Sequence, residues 1–172
     1  ITVNLTVIDV QAVITAPDIL TCANPEIQLN GSGSSPAGQI SFEWQDSGGA
    51  TLGAGPVLAV SDPGSYQLLV TRTVDNTVCS DRDTATVAVN QVVPFADPGP
   101  PDTLTCTRTQ ISLGGPGTST GPDIIYNWTS PTGHFAGPDN VAEPLVDQPG
   151  EYTLIVTDQQ NGCRDTAAVA IS

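Results

Sequence analysis

Apolar and polar residues alternate along most of this chain with a period of two. Ile27 and Leu29 share one face, as do Ile40, Phe42 and Trp44, and later Tyr66, Leu68 and Val70. That period marks strands with one buried side. Leu69 is apolar on the opposite face, as expected of a central strand. Val57–Val60 reads as a further short strand, and Ala85–Val89 as a closing one. Between them lie "NGSGSSPAG", "DSGGATLGAGP", Pro63-Gly64 and "VDNT", all turn formers. The same grammar then recurs: Ile111 and Leu113, Ile124 with Tyr126 and Trp128, Tyr152 with Leu154 and Val156, and Ala167–Ile171 at the end. Nothing in the chain carries a helical period, so the expected class is all-β, built as two sandwiches.

The recurrence is a true internal repeat. Cys22, Trp44 and Cys79 return 84 residues later as Cys106, Trp128 and Cys163. "TCANPEIQLNGSGSS" answers "TCTRTQISLGGPGTS", and "PGSYQLLVT" answers "PGEYTLIVT". Two copies of one module are expected, 1–92 and 93–172. The opening "ITVNLTVIDV" matches the closing strand of the first repeat. It is either the last strand of a preceding module or the first strand of this one. "VPFADPGPPD" carries four prolines and reads as a short, stiff Pro-rich linker between the modules.

A module of that length buries a thin core, roughly 60–65% of its unfolded surface, and extra ties are expected. The four cysteines allow three pairings. The repeat favours Cys22–Cys79 and Cys106–Cys163, because each module then closes alone. Each such bond would contribute about 4 kcal/mol through loop entropy. Disulfides place the chain in an oxidising compartment, secreted or at a cell surface. The lack of a starting methionine suggests a mature product or an excised piece of a longer protein.

Charge narrows the partners. Eighteen acidic residues stand against four arginines and no lysine, a formal net charge of −14. Nucleic acid and anionic membrane surfaces would be repelled. No apolar run is long enough to insert in a bilayer. Without lysine there is no Schiff base, and the single histidine, His134, would have to serve any triad alone. "GGATLGAG" lacks the lysine and the strand–helix frame of a phosphate loop. No catalytic residue is assigned, and the chain is expected not to be an enzyme. No cofactor is expected apart from Ca²⁺, for which the only candidates are Asp81, Asp83, Asp97, Asp102 and Asp165. The competing reading of those acids is a soluble anionic surface. His134, in "SPTGHFAG", reads as a loop residue. Trp44 and Trp128 read as core tryptophans pinning two sheets, and Tyr66 and Tyr152 as packed rings whose hydroxyls bond nearby backbone.

The motifs "ADPGPPDTLTC", "ISLGGPGTS", "IIYNW", "PGEYTLIVTDQQNGC" and "DTAAVAI", with their first-module counterparts, resemble the PKD-like and related Ig-like repeats of large secreted or surface proteins of Bacteroidetes-type bacteria. Two departures stand out. "WQDSGG" and "WTSPTG" replace the Trp-followed-by-Gly-Asp-Gly signature. Leu68 and Leu154 occupy the position, two residues after the tyrosine, where Ig domains carry the second cysteine. The resemblance implies tandem Ig-like sandwiches acting as a non-catalytic spacer, stalk or adhesive unit whose partners are neighbouring modules of the same polypeptide. The alternative is a carbohydrate- or protein-binding accessory module of a secreted multidomain enzyme or adhesin, which binds an extracellular glycan or surface protein through loops such as "DSGGATLGAG" and "SPTGHFAG".

Overall fold

A computed structural model describes residues 9–36 and 39–172 of the chain. Most of the opening segment, residues 1–8, lies outside the described residues, and with it the question of which module that strand belongs to. The chain divides into two compact units between Asn90 and Gln91. Every regular element among the described residues is a strand.

The first unit contains β1 (Leu20–Thr21), β2 (Ile27–Asn30), β3 (Ser41–Asp46), β4 (Thr51–Ala54), β5 (Val57–Val60), β6 (Gly64–Val74), β7 (Thr77–Val87) and β8 (Val89–Asn90). One antiparallel sheet runs β4-β3-β6-β7, and β2 pairs with β5 in another. Inward residues of both sheets share one core: Ile27, Leu29 and Val60 from the small sheet, Trp44, Tyr66, Leu68, Val70 and Val87 from the large one. The unit is therefore a two-layer sandwich. In β6 the burial alternates as the period-two pattern requires, with Tyr66, Leu68 and Val70 inside. The hairpin from β6 to β7 turns on Asp75 and Asn76, both at positive φ (48° and 66°). This is the two-residue turn that matches strand twist, and Asp and Asn tolerate its left-handed backbone better than other non-glycine residues.

The second unit contains β9 (Ile111–Ser112), β10 (Ile124–Thr129), β11 (Leu145–Val146), β12 (Gly150–Asp158) and β13 (Arg164–Ile171). The large sheet is β10-β12-β13 and the small one β9-β11. The register is conserved between units: Trp44 lies opposite Leu68, and Trp128 opposite Leu154. The second unit has no equivalent of β4.

Two expectations need correction. The Pro-rich segment is not a free-standing linker. Ala96 is buried in the core of the second unit, and Gly114 N–H donates to Pro98 O at 3.0 Å. The segment is an irregular strap along the sandwich, anchored by residues too distant in sequence for local composition to reveal.

The second correction concerns the cysteines. Neither Cys22–Cys79 nor Cys106–Cys163 is formed. Cys79 and Cys106 are free thiols, whereas Cys22 and Cys163 are held in disulfide linkage. The reason is the length of the strands. In the first unit Thr21 pairs with Asn90, so Cys22 sits where the chain leaves the module. Cys79 lies opposite Arg72, near the hairpin turn at the other end. From Cys79 to Val87, β7 extends about 26 Å at roughly 3.3 Å per residue. A disulfide needs Cα atoms within about 7 Å. The second unit repeats the geometry. Leu104 N–H donates to Ser172 O, which places Cys106 at the end where β13 finishes, while Cys163 precedes its start.

Candidate functional site

The inner edge of the last long strand explains the aspartates. Residues opposite one another in an antiparallel pair share a face. Asp81 pairs with Val70 and Asp83 with Leu68, so both carboxylates point to the core side of the sheet. There they accept backbone N–H groups from the strap crossing the edge: Ala12 to Asp81 Oδ2 at 2.9 Å and Ile14 to Asp83 Oδ2 at 2.7 Å. Ser34 Oγ accepts Val13 N–H between them. The two carboxylates of the edge strand thus tie the strap to the sheet through its backbone N–H groups.

The second unit keeps this device and changes it in a matched way. Asp165 Oδ2 accepts Ala96 N–H at 2.9 Å, and Thr118 Oγ1 accepts Asp97 N–H at 3.1 Å. At the position of Ile14 stands Pro98, which has no N–H. At the position of Asp83 stands Ala167, which has no carboxylate. Donor and acceptor are absent together, as the cost of an unpaired buried polar group demands.

The remaining calcium candidates are engaged locally. Asp97 accepts from Gly99 and Gly117 N–H, and Asp102 accepts Thr103 N–H and pairs with Arg108. Among the described residues no three His, Cys, Asp or Glu side chains converge on a point that could hold a metal ion. Asp81 and Asp83 lie on β7, Asp165 on β13, and Asp97 and Asp102 on the strap of the second unit, each bonded to groups near it.

The aromatic residues belong to the scaffold. Trp44 is fully buried and its indole N–H donates to Gly55 O at 2.9 Å; Trp128 donates to Val141 O at 3.1 Å. Tyr66 donates to Asp62 O at 2.8 Å and Tyr152 to Gln148 O at 2.6 Å, each four residues upstream. Tyr152 also accepts His134 N–H at 3.0 Å and meets Phe135 edge-on with ring centroids 5.3 Å apart. Burial pushes the pKa of both tyrosines above the ordinary value, with Asp62 and Asp147 adding to the effect and a backbone bond from His134 opposing it at Tyr152. His134 Nδ1 lies 2.7 Å from Asp147 Oδ1 on the surface, which fixes the "SPTGHFAG" loop against the loop before β12.

The first unit also carries a concave surface that the scaffold does not require. On the outer face of the first unit, Gln45, Gln67 and Thr84 line up across β3, β6 and β7. With Ser65, Arg82 and the Asp46–Gly49 turn they line an open cleft of about 420 Å³. The turn is rigid, because Asp46 Oδ1 accepts the N–H of both Gly48 and Ala50. Arg82 Nη1 donates to Gln67 Oε1 at 2.6 Å. Nearby, Glu43 accepts from Gln45 Nε2 and Thr51 Oγ1, bonds that hold its carboxyl below the usual carboxylate range. The corresponding face of the second unit carries Thr129, Thr153, Thr166 and Ala168. The amides and guanidinium are thus peculiar to the first unit. The sequence pointed to the glycine-rich loop but not to Gln45, Gln67 and Arg82, which meet only through strand register. The cleft offers amide and guanidinium groups to a neutral polar ligand, and it contains no nucleophile–base pair.

No protein-family model matches the chain. It is 31% identical over 159 residues to the mouse dyslexia-associated protein KIAA0319 homolog, a match covering 77% of this chain and 14% of that protein. It is 31% identical over 152 residues to the human dyslexia-associated protein KIAA0319, with the same two coverages, 77% and 14%. The chain thus spans about 14% of the length of the curated relatives it matches. Among solved structures it resembles an I-band fragment of titin (TM-score 0.42, 11% identity, 86% of this chain and 58% of that one). It also resembles the three N-terminal domains of the bacteriophage RB49 outer capsid protein Hoc (TM-score 0.45, 13% identity, 95% and 59%). A third neighbour is the N-terminal four Ig domains of Dscam1 (TM-score 0.37, 12% identity, 98% and 52%).

Proposed function

We propose that this chain is a pair of non-catalytic, PKD-like or Ig-like repeat modules of a larger extracellular protein, serving as a spacer or adhesive unit. The observation that carries the reading is the duplicated scaffold. In both units the buried tryptophan, the tyrosine hydroxyl and the inward aspartate each satisfy a backbone group. Groups committed in that way are unavailable for acid–base or ligand chemistry. Disulfide-linked cysteines fit an oxidising, extracellular setting. The similarity to a small part of two long proteins fits a module of a longer chain. An exported bacterial surface protein is the finer reading that the sequence resemblance favours.

The second reading, a glycan- or protein-binding accessory module, is favoured by the cleft at Gln45, Gln67 and Arg82. A glycan array probed with residues 1–172 separates the two. The spacer reading expects no reproducible signal. Specific binding that Arg82→Ala abolishes without changing the melting curve would replace that reading with the accessory one.

A further inference from the structure

Each unit carries one cysteine at its leading end and one at its trailing end. At the leading end of the first unit, Ala12 binds Asp81, two residues from Cys79. At the leading end of the second, Asn161 Nδ2 donates to Val92 O, two residues from Cys163. Cys22 and Cys106 occupy the trailing ends, beside Asn90 and beyond Leu104. The oxidised cysteines are therefore the trailing one of the first unit and the leading one of the second. Left as thiols are their repeat equivalents, the leading Cys79 and the trailing Cys106.

We propose that Cys79 and Cys106 are the two halves of one further bond, closed between Cys106 of one copy of this repeat pair and Cys79 of another, so that modules join head to tail through disulfides. Beyond the cysteine placement, the two surfaces suit each other. Cys106 is exposed and borders an open depression of about 380 Å³ with Leu104, Thr105, Thr109, Asp147 and Pro149. Cys79 stands beside Val78, an exposed apolar side chain near the hairpin turn. The exposed apolar Val78 at the leading end thus suits the Leu104 and Pro149 rim of the depression at the trailing end.

The chemistry is thiol–disulfide exchange with a small-molecule disulfide as oxidant. The thiolate of Cys106 attacks oxidised glutathione, forming a mixed disulfide and releasing one glutathione thiolate. The Cys79 thiolate of a second copy then attacks the protein sulfur and releases the other. Two protein thiols are oxidised, and one glutathione disulfide is reduced to two thiols.

The test uses the full 172-residue chain, concentrated and treated with oxidised glutathione. The expected product is a ladder of oligomers that dithiothreitol collapses to monomer. Peptide mapping of a mixture of isotopically light and heavy chains should find Cys79 of one joined to Cys106 of the other. Cys79→Ser and Cys106→Ser should each lose the ladder beyond dimer while keeping the parent melting curve. A mixture of the two variants should form the heterodimer in excess of its statistical share over either homodimer. Glutathionylated monomers alone, or a statistical mixture of 79–79, 106–106 and 79–106 bonds, would overturn the proposal. Neither result would touch the reading as a repeat module, which the glycan array tests separately.

Discussion

Replacing Trp44 by alanine is expected to cost the first unit about 3–5 kcal/mol, the range for deleting a buried aromatic side chain. The indole lies between the two sheets at zero exposure, so its removal leaves a cavity that rigid strands collapse into poorly. Gly31 shows how tight the site is: a Cβ built there would lie 2.6 Å from Leu68 Cδ2 and 3.3 Å from Trp44 Cζ2. The substitution also strips Gly55 O of its N–H donor. For a unit of about 90 residues the loss corresponds to a fall in melting temperature on the order of 15–30 °C. Trp128 is then the remaining tryptophan of the two in the chain, and its fluorescence reports the second unit. The two cores share no residue. Far-UV circular dichroism should therefore show an early transition that Trp128 fluorescence does not follow. Coincident loss of both signals would show the cores to be coupled.

Much of this architecture was legible in the sequence, because it is written in local patterns. The alternation through Tyr66, Leu68 and Val70 predicts a strand with one buried face, and β6 is buried in that order. The tryptophans announce themselves by repeating with the cysteines. What was not legible depends on register and distance. Asp81 looks like a surface acid until β6 is laid beside β7 and its carboxylate turns inward toward Ala12, 69 residues away. "DPGPPD" reads as a linker because composition cannot show that Asp165 anchors the strap that leads into it. The cysteines invited pairing within modules because the repeat shows that they belong together. It does not show that an eight-residue run of strand holds them at opposite ends.

Tyr152→Phe is expected to destabilise the second unit by about 1–3 kcal/mol, more than Tyr66→Phe destabilises the first. The Tyr152 hydroxyl donates to Gln148 O and accepts His134 N–H, so phenylalanine orphans a carbonyl and an amide together. Tyr66 contributes one such bond, to Asp62 O. The same residues are expected to make stability fall at alkaline pH. Their folded ionisation lies above that of the unfolded chain, where tyrosine titrates near 10. Stability from this source is whole below about pH 10 and is lost as pH rises from there through the raised folded values, because the unfolded chain releases its protons first. Urea midpoints measured from pH 8 to 11 should fall above pH 10 in the parent and fall less in the double variant Tyr66→Phe/Tyr152→Phe. Parallel curves for the two proteins would mean that other groups govern the alkaline limit.

The arrangement of module ends rests most directly on the state of the four cysteines. Alkylation of the purified native chain without reductant, followed by denaturation and peptide mapping, reads that state residue by residue. Two labelled positions are expected, Cys79 and Cys106, with Cys22 and Cys163 unlabelled until reduction. A peptide joining Cys22 to Cys79, or Cys106 to Cys163, would contradict the account, since it would require the two ends of one sandwich to meet.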